Sequence, residues 1–174
     1  MNKINFLFVT LFGIGKLKKI PGSYASLATT ILLFFLFHIL NFSPNFILIG
    51  VIVIFLISIY AVNIFIKDLD NKDPKEVVID EFIGQSIPIC LYEIAHEGVK
   101  ETSKVLTFYF IMFVLFRIFD IFKPYPVSYY DKKFKNSFGV IMDDVCAGLY
   151  VVAVLVLYMV ITSWKNFLKQ SLSY

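Results

Sequence analysis

Five of this chain's thirteen acids, and its only arginine, sit inside or against long apolar segments, where charge is costly. They occur as Asp80-Glu81 in VVIDEFIG, Arg117 and Asp120 in FRIFDIFKPYP, and Asp143-Asp144 in VIMDDVCAG. A carboxylate at membrane depth must be paired or neutralised to be tolerated, so its presence there signals a functional site. Acidic pairs that can converge beside cationic side chains suit a divalent-metal site for phosphate chemistry.

The surrounding composition fixes the class. The 174 residues are 59% hydrophobic and 17% charged, with twenty phenylalanines and a mean hydropathy of +0.79. Soluble domains run nearer ~45–50% apolar and ~25% charged. The chain reads as an all-α, multi-pass membrane bundle of four to five apolar helices, forming a single domain over residues 1–174. A net charge of only +3, with most lysines flanking apolar segments, argues against nucleic acid as a partner. Cys90 and Cys146 both lie in apolar stretches and read as buried free thiols, neither a disulfide framework nor a zinc site. The N-terminal MNKINFLFVTLFGIGK has no small-x-small cleavage pattern and is read as mature protein.

A spanning helix needs ~20 apolar residues. Residues 46–66 and 145–164 are uncharged runs of that length. Residues 25–40 are slightly short, follow a Pro-Gly-Ser turn, and form a hairpin with 46–66. Residues 105–122 carry Arg117 and Asp120 near their end, and residues 77–91 begin with the acidic pair and contain Pro88. Polar loops are expected at 67–76, 93–104 and 124–139. Lysines at 16, 18, 19, 67, 72 and 75 place the start of the first span and the end of the second in the cytoplasm by the positive-inside tendency. If 77–91 crosses or re-enters, then Arg117, Asp120, Lys123, the lysines at 132, 133 and 135, and Asp143-Asp144 return to that same face. Lys165 and Lys169 are then left on the outer side.

Asp80 and Asp144 each precede a glycine by four positions, Gly84 and Gly148. Residues four apart share a helix face, and glycines let membrane helices approach closely. The acidic pairs could thus reach one ion, with oxygen-only ligation suited to magnesium. The plainer reading has each pair stabilising a helix N-terminus. Arg117, Asp120 and Lys123, spaced by three, can line one face, either as a neutralised ion pair or with Asp120 on metal and both cations on phosphoryl oxygens. Pro124 and Pro126 end that helix. In GIGKLKKIPGSYAS, Ser23 or Ser26 could cap the next helix; the segment lacks phosphate-loop spacing and reads as a basic juxtamembrane turn. His38 and His96 have no neighbours suggesting histidine catalysis.

Taken in order, GIGKLKKIPGSYASL, VVIDEFIGQ, FRIFDIFKPYPV and FGVIMDDVCAGLY resemble the phosphatidylglycerophosphatase A family over most of the chain. The resemblance implies magnesium-dependent hydrolysis of phosphatidylglycerophosphate, a phospholipid substrate, at the bacterial cytoplasmic membrane with the site facing the cytoplasm. It places the family's acidic residues on Asp80, Glu81, Asp120, Asp143 and Asp144, as catalytic and metal-holding groups with Lys123. Substrate binding falls to Arg117, Lys123, Pro21, Gly22, Ser23 and Ser26. Departures are Pro21-Gly22-Ser23 for the usual Pro-Gly-Thr, Ala25-Ser26 for Gly-Ser, Ile141 in place of a methionine, and Asn136-Ser137 where glycines are usual. No acid or cation is lost. The expected mechanism is attack by metal-activated water on the terminal phosphomonoester, with an aspartyl-phosphate route left open. A small cation or proton transporter using the same carboxylates is the rival function; a structural subunit would leave five clustered acids unexplained.

Overall fold

The structure, a computed structural model, describes residues 2–71, 74–96 and 101–171, and the side chains of these except 131–132 and 166–171. Lys72 and the side chains of Lys132 and Lys169 therefore lie outside what is described. The order is α1 (Lys3–Val9), a 3-10 turn (Ile14–Lys16), α2 (Pro21–His38), α3 (Pro44–Ile66), α4 (Ile79–Ala95), α5 (Thr102–Phe122), α6 (Val127–Lys133) and α7 (Ser137–Ser171). No strand occurs among the described residues. Helices α2, α3, α5 and the first 29 residues of α7 are each long and apolar enough to cross a membrane.

A short turn joins α2 to α3 as expected, but the two do not pack as a hairpin, because α4 lies against both; α2 also starts four residues earlier than expected. Pro21-Gly22-Ser23 is not a turn ahead of the helix; it is the first helical turn, since Pro21 at the start needs no N–H partner and has φ preset for helix. The break falls one residue back, at Ile20, which adopts φ 43°, a conformation a β-branched residue rarely takes. Neither Ser23 nor Ser26 caps α2: Ile20 is the capping residue, and Ser26 Oγ donates instead to Gly22 O at 2.9 Å. Outward side chains of α3, among them Ile49, Ile52, Leu56 and Tyr60, are half exposed or more, as a lipid-facing surface requires.

Helix α4 decides the topology. It runs unbroken through Pro88 and is buried along most of its length. Its first turn sits beside the start of α2, and its last turn meets the far end of α2 and the start of α5. There His38 Nε2 lies 3.3 Å from Glu93 Oε1, which also accepts from Tyr109 Oη at 3.0 Å. So α4 traverses the bundle, and α5 returns Arg117 and Asp120 to the end from which α4 set out. At that end Val78 N–H donates to Val9 O at 3.0 Å and Asn5 Nδ2 to Ala61 O at 3.1 Å, which ties α1 against α3 and α4. His38, read as having no neighbour that suggests catalysis, pairs with Glu93 at the end of α4 opposite Asp80 and Glu81. Cys90 and Cys146 are buried and free.

The tightest packing is α4 on α7. Proline has no N–H, so Pro88 leaves the Gly84 carbonyl without its helical donor. That carbonyl faces Gly148, where any Cβ would overlap it. Reciprocally, a Cβ on Gly84 would come within 2.6 Å of Asp144 O and 2.7 Å of Phe116 Cε2. The two glycines, each one turn beyond an acid, press the backbones together as their spacing predicts. The stretch 124–139, expected as loop, contains α6, and α7 begins at Ser137, well ahead of residue 145. Asn136 Oδ1 accepts from Gly139 N–H at 3.0 Å and so caps α7.

Replacing Gly148 with valine sets a side chain against backbone that cannot swing aside. Overpacking of this kind costs about 1–3 kcal/mol, or very roughly 2–4 °C of melting temperature per kcal/mol for a chain this size. Thermal melting in detergent should show G148V lowered by several degrees; a wild-type melt would contradict the contact.

Candidate active site

Asp80 and Glu81 occupy the first turn of α4, where the positive end of the helix dipole favours acids. Asp80 Oδ1 accepts the Glu81 N–H at 3.0 Å. The N-terminal stabilising role therefore fits this pair. It does not fit Asp143-Asp144, which lie in the second turn of α7, past the capping positions. Asp143 Oδ1 accepts the Asp144 N–H at 3.0 Å, repeating the local arrangement of the first pair.

Across the α4–α7 contact, Asp80, Glu81 and Asp144 can place one carboxylate oxygen each within 4.8 Å of the others. Asp80 and Asp144 are 7% and 3% exposed. The two remaining acids of the predicted set stand beside this group but hold cations of the chain. Asp120 Oδ2 pairs with Arg117 Nη1 at 2.8 Å, three residues apart on α5. Asp143 Oδ2 pairs with Lys123 Nζ at 2.8 Å. The expectation that Arg117, Asp120 and Lys123 share one helical face holds only for the first two. Helix α5 stops at Phe122, and Lys123 leaves it with φ 44°, which turns its ammonium across to α7.

Arg117 is also placed by α2: its Nη1 donates to Ser26 Oγ at 3.3 Å. Gly22 is what makes room, since a Cβ there would overlap Glu81 Oε1 and lie 3.4 Å from Arg117 Nη1. Four buried side-chain polar atoms find no hydrogen-bond partner among the described residues: Glu81 Oε2, Arg117 Nε, and both amide atoms of Gln85, one helical turn beyond Glu81. An unsatisfied buried group costs about 1–3 kcal/mol.

These groups surround a cavity of about 460 Å³, within the usual range for small-molecule sites. Its walls include all five predicted acids, Arg117 and Lys123, and Pro21, Gly22 and Ser23. Ser26 lies behind the wall, in contact with Arg117. Lys18, Ile20, Pro74 and Lys75 also line it; from the sequence, Lys18 and Lys75 were read only as orientation signals, and Ile20 and Pro74 were not singled out. The basic juxtamembrane turn is therefore part of the cavity. The available signal was its nearness to Pro21-Gly22-Ser23 and, for Lys75, to VVIDE. Ile121, 66% exposed, and the buried Val140 make one wall of the cavity apolar.

Relatedness to known proteins gives the class as a membrane-embedded phosphatase. The chain belongs to the phosphatidylglycerophosphatase A family, whose model matches residues 7–159. It is 36% identical over 156 residues to the phosphatidylglycerophosphatase A of Haemophilus influenzae, covering 88% of this chain and 87% of that one. Identity to the Escherichia coli K12 phosphatidylglycerophosphatase A is 28%, over 88% and 81%. A putative phosphatidylinositol-3-phosphatase of Bacteroides thetaiotaomicron is 33% identical, over 86% and 92%. No solved structure matches.

Alanine at Gly22 separates site from scaffold. The atom it meets is the end of the flexible Glu81 side chain, so the fold should accommodate it while the carboxylate is displaced. G22A should melt within a few degrees of wild type and lose most of its phosphatase activity. Full activity would show that the placement of Glu81 against α2 is immaterial.

Proposed function

We propose that this protein hydrolyses the terminal phosphomonoester of phosphatidylglycerophosphate to give phosphatidylglycerol and phosphate, in the cytoplasmic membrane with its site facing the cytoplasm. The observation that carries the reading is the convergence of Asp80, Glu81 and Asp144 beside the Arg117–Asp120 pair, in a cavity with one apolar wall. The names of the relatives from Haemophilus influenzae and Escherichia coli support the substrate. The concentration of lysines at the end bearing the site supports the orientation.

The donor set fits a hard divalent cation such as Mg²⁺. It consists of oxygens only, three carboxylates close enough to repel one another, with one buried oxygen of Glu81 lacking a protein partner. Asp80, Glu81 and Asp144 would hold the ion, with Asp120 and Asp143 close by to complete its surroundings. Bound there, it would neutralise phosphoryl charge and lower the pKa of a water molecule.

The chain's own residues do the rest. Arg117, fixed from two sides by Asp120 and Ser26, presents its guanidinium to the phosphoryl oxygens and stabilises the charge that spreads over them in the transition state. Lys123, held by Asp143, adds a second positive charge from α7's side. Lys18 and Lys75 at the wall attract the doubly phosphorylated head group. One carboxylate accepts the proton of the attacking water as its oxygen bonds phosphorus. The bond from phosphorus to the glycerol oxygen breaks, and that oxygen leaves with the electron pair and takes up the proton the carboxylate accepted from the water. The lipid's apolar part lies against Ile121 and Val140.

Purified protein assayed against phosphatidylglycerophosphate should release phosphate with Mg²⁺ and stop with chelator. D80N and D144N should each abolish release, while R117K, which keeps charge but loses the planar fork, should cost about 100-fold in kcat. Near-normal rates in both aspartate variants would overturn the assignment. Ion flux in proteoliposomes without phosphate release would favour a transporter.

A further inference from the structure

We propose that Gln85 is a positioning residue for this reaction, holding the Glu81 carboxylate from one helical turn away. The inference rests on the function proposed above and deepens it. Gln85 is wholly buried in α4 (0% exposed), and neither its amide nitrogen nor its amide oxygen has a partner among the described residues. Among the described residues it shares this with Glu81 Oε2 and Arg117 Nε, whose residues line the cavity. The chain's buried hydroxyls are satisfied locally: Ser26, Thr29, Thr30, Ser58 and Ser86 each donate to the backbone carbonyl four residues back. A leucine or methionine would fill the volume of Gln85 without stranding a donor and an acceptor, so packing does not account for the amide.

Its place in the helix does. Residues four apart share a face, and an amide–carboxylate pair at that spacing can bond. The residue four before Gln85 is Glu81, whose Oε2 is the other buried orphan on α4. Glu81 Oε1 is committed to the space beside Gly22. A carboxylate that offers one oxygen to an ion or phosphate is steered through its other oxygen, and such supporting partners tune the site strongly. Gln85 Nε2 donating to Glu81 Oε2 would fix the plane of that carboxylate while the site is loaded.

The test uses full-length protein in detergent with Q85L and, in case leucine is misshapen, Q85M. Four quantities are read: thermal melting, Mn²⁺ affinity by electron paramagnetic resonance without lipid, and kcat and KM for phosphatidylglycerophosphate with Mg²⁺. Melting should be unchanged or raised, because an unpartnered amide is removed. Mn²⁺ affinity and kcat should each fall by about 10–100-fold, with KM for the lipid within about twofold of wild type. Wild-type Mn²⁺ affinity and kcat in both variants would overturn the proposal. A lowered melting temperature with unchanged metal affinity would overturn it too, by marking Gln85 as a packing residue. If wild-type protein releases no phosphate from the lipid, the proposed function fails, and the Mn²⁺ arm still decides whether Gln85 supports Glu81.

Discussion

The approach of two helix backbones at Gly84 and Gly148 is the contact on which the rest of the molecule depends. Acids on separate helices come within a few ångströms of one another most readily where those helices touch without intervening side chains, and here the touching residues lie one turn past the acids on both sides. Pro88 contributes by leaving the Gly84 carbonyl free to face Gly148. The same geometry that brings Asp80, Glu81 and Asp144 together also removes them from solvent. Their mutual repulsion is then weakly screened, and a site of this kind is poised to take up positive charge.

The chain answers part of that demand itself. Arg117 and Lys123 each neutralise one acid, Asp120 and Asp143, and in doing so are fixed in position. Ion pairs of limited exposure seldom add much to stability, but they hold long cationic side chains at defined points on a cavity wall. At the opposite end of α4, Glu93 is met by His38 and Tyr109. The central helix is thus clamped by polar contacts at both ends, with apolar packing by Ile83, Ile89, Met112 and Phe116 between.

Much of this was legible in the sequence because membrane chains punish misplaced charge. Five acids and an arginine in apolar runs had few arrangements open to them, and the i,i+4 acid–glycine spacing foretold the α4–α7 contact. What escaped notice depended on contacts remote in sequence or on single dihedral angles. Ile20 and Lys123 take positive φ without being glycine, which moved the start of α2 and detached Lys123 from the face of Arg117. The orphaned amide of Gln85 could not be read from its position in VVIDEFIGQ, since a glutamine in a short helix is ordinarily exposed. Lys18 and Lys75 looked like orientation signals, which basic residues at span ends usually are, and only the fold shows that they also border the cavity.

For the proposed reaction, the exposed Ile121 at the cavity's apolar wall changes what concentration means. A substrate that never leaves the bilayer arrives by lateral diffusion, so encounter frequency follows its mole fraction among neighbouring lipids, not its amount per volume of water. Dilution by inert lipid or detergent then slows turnover at constant bulk quantity. The product, still anchored by its acyl chains, departs by the same sideways route and competes for the doorway, whereas inorganic phosphate escapes into the aqueous phase.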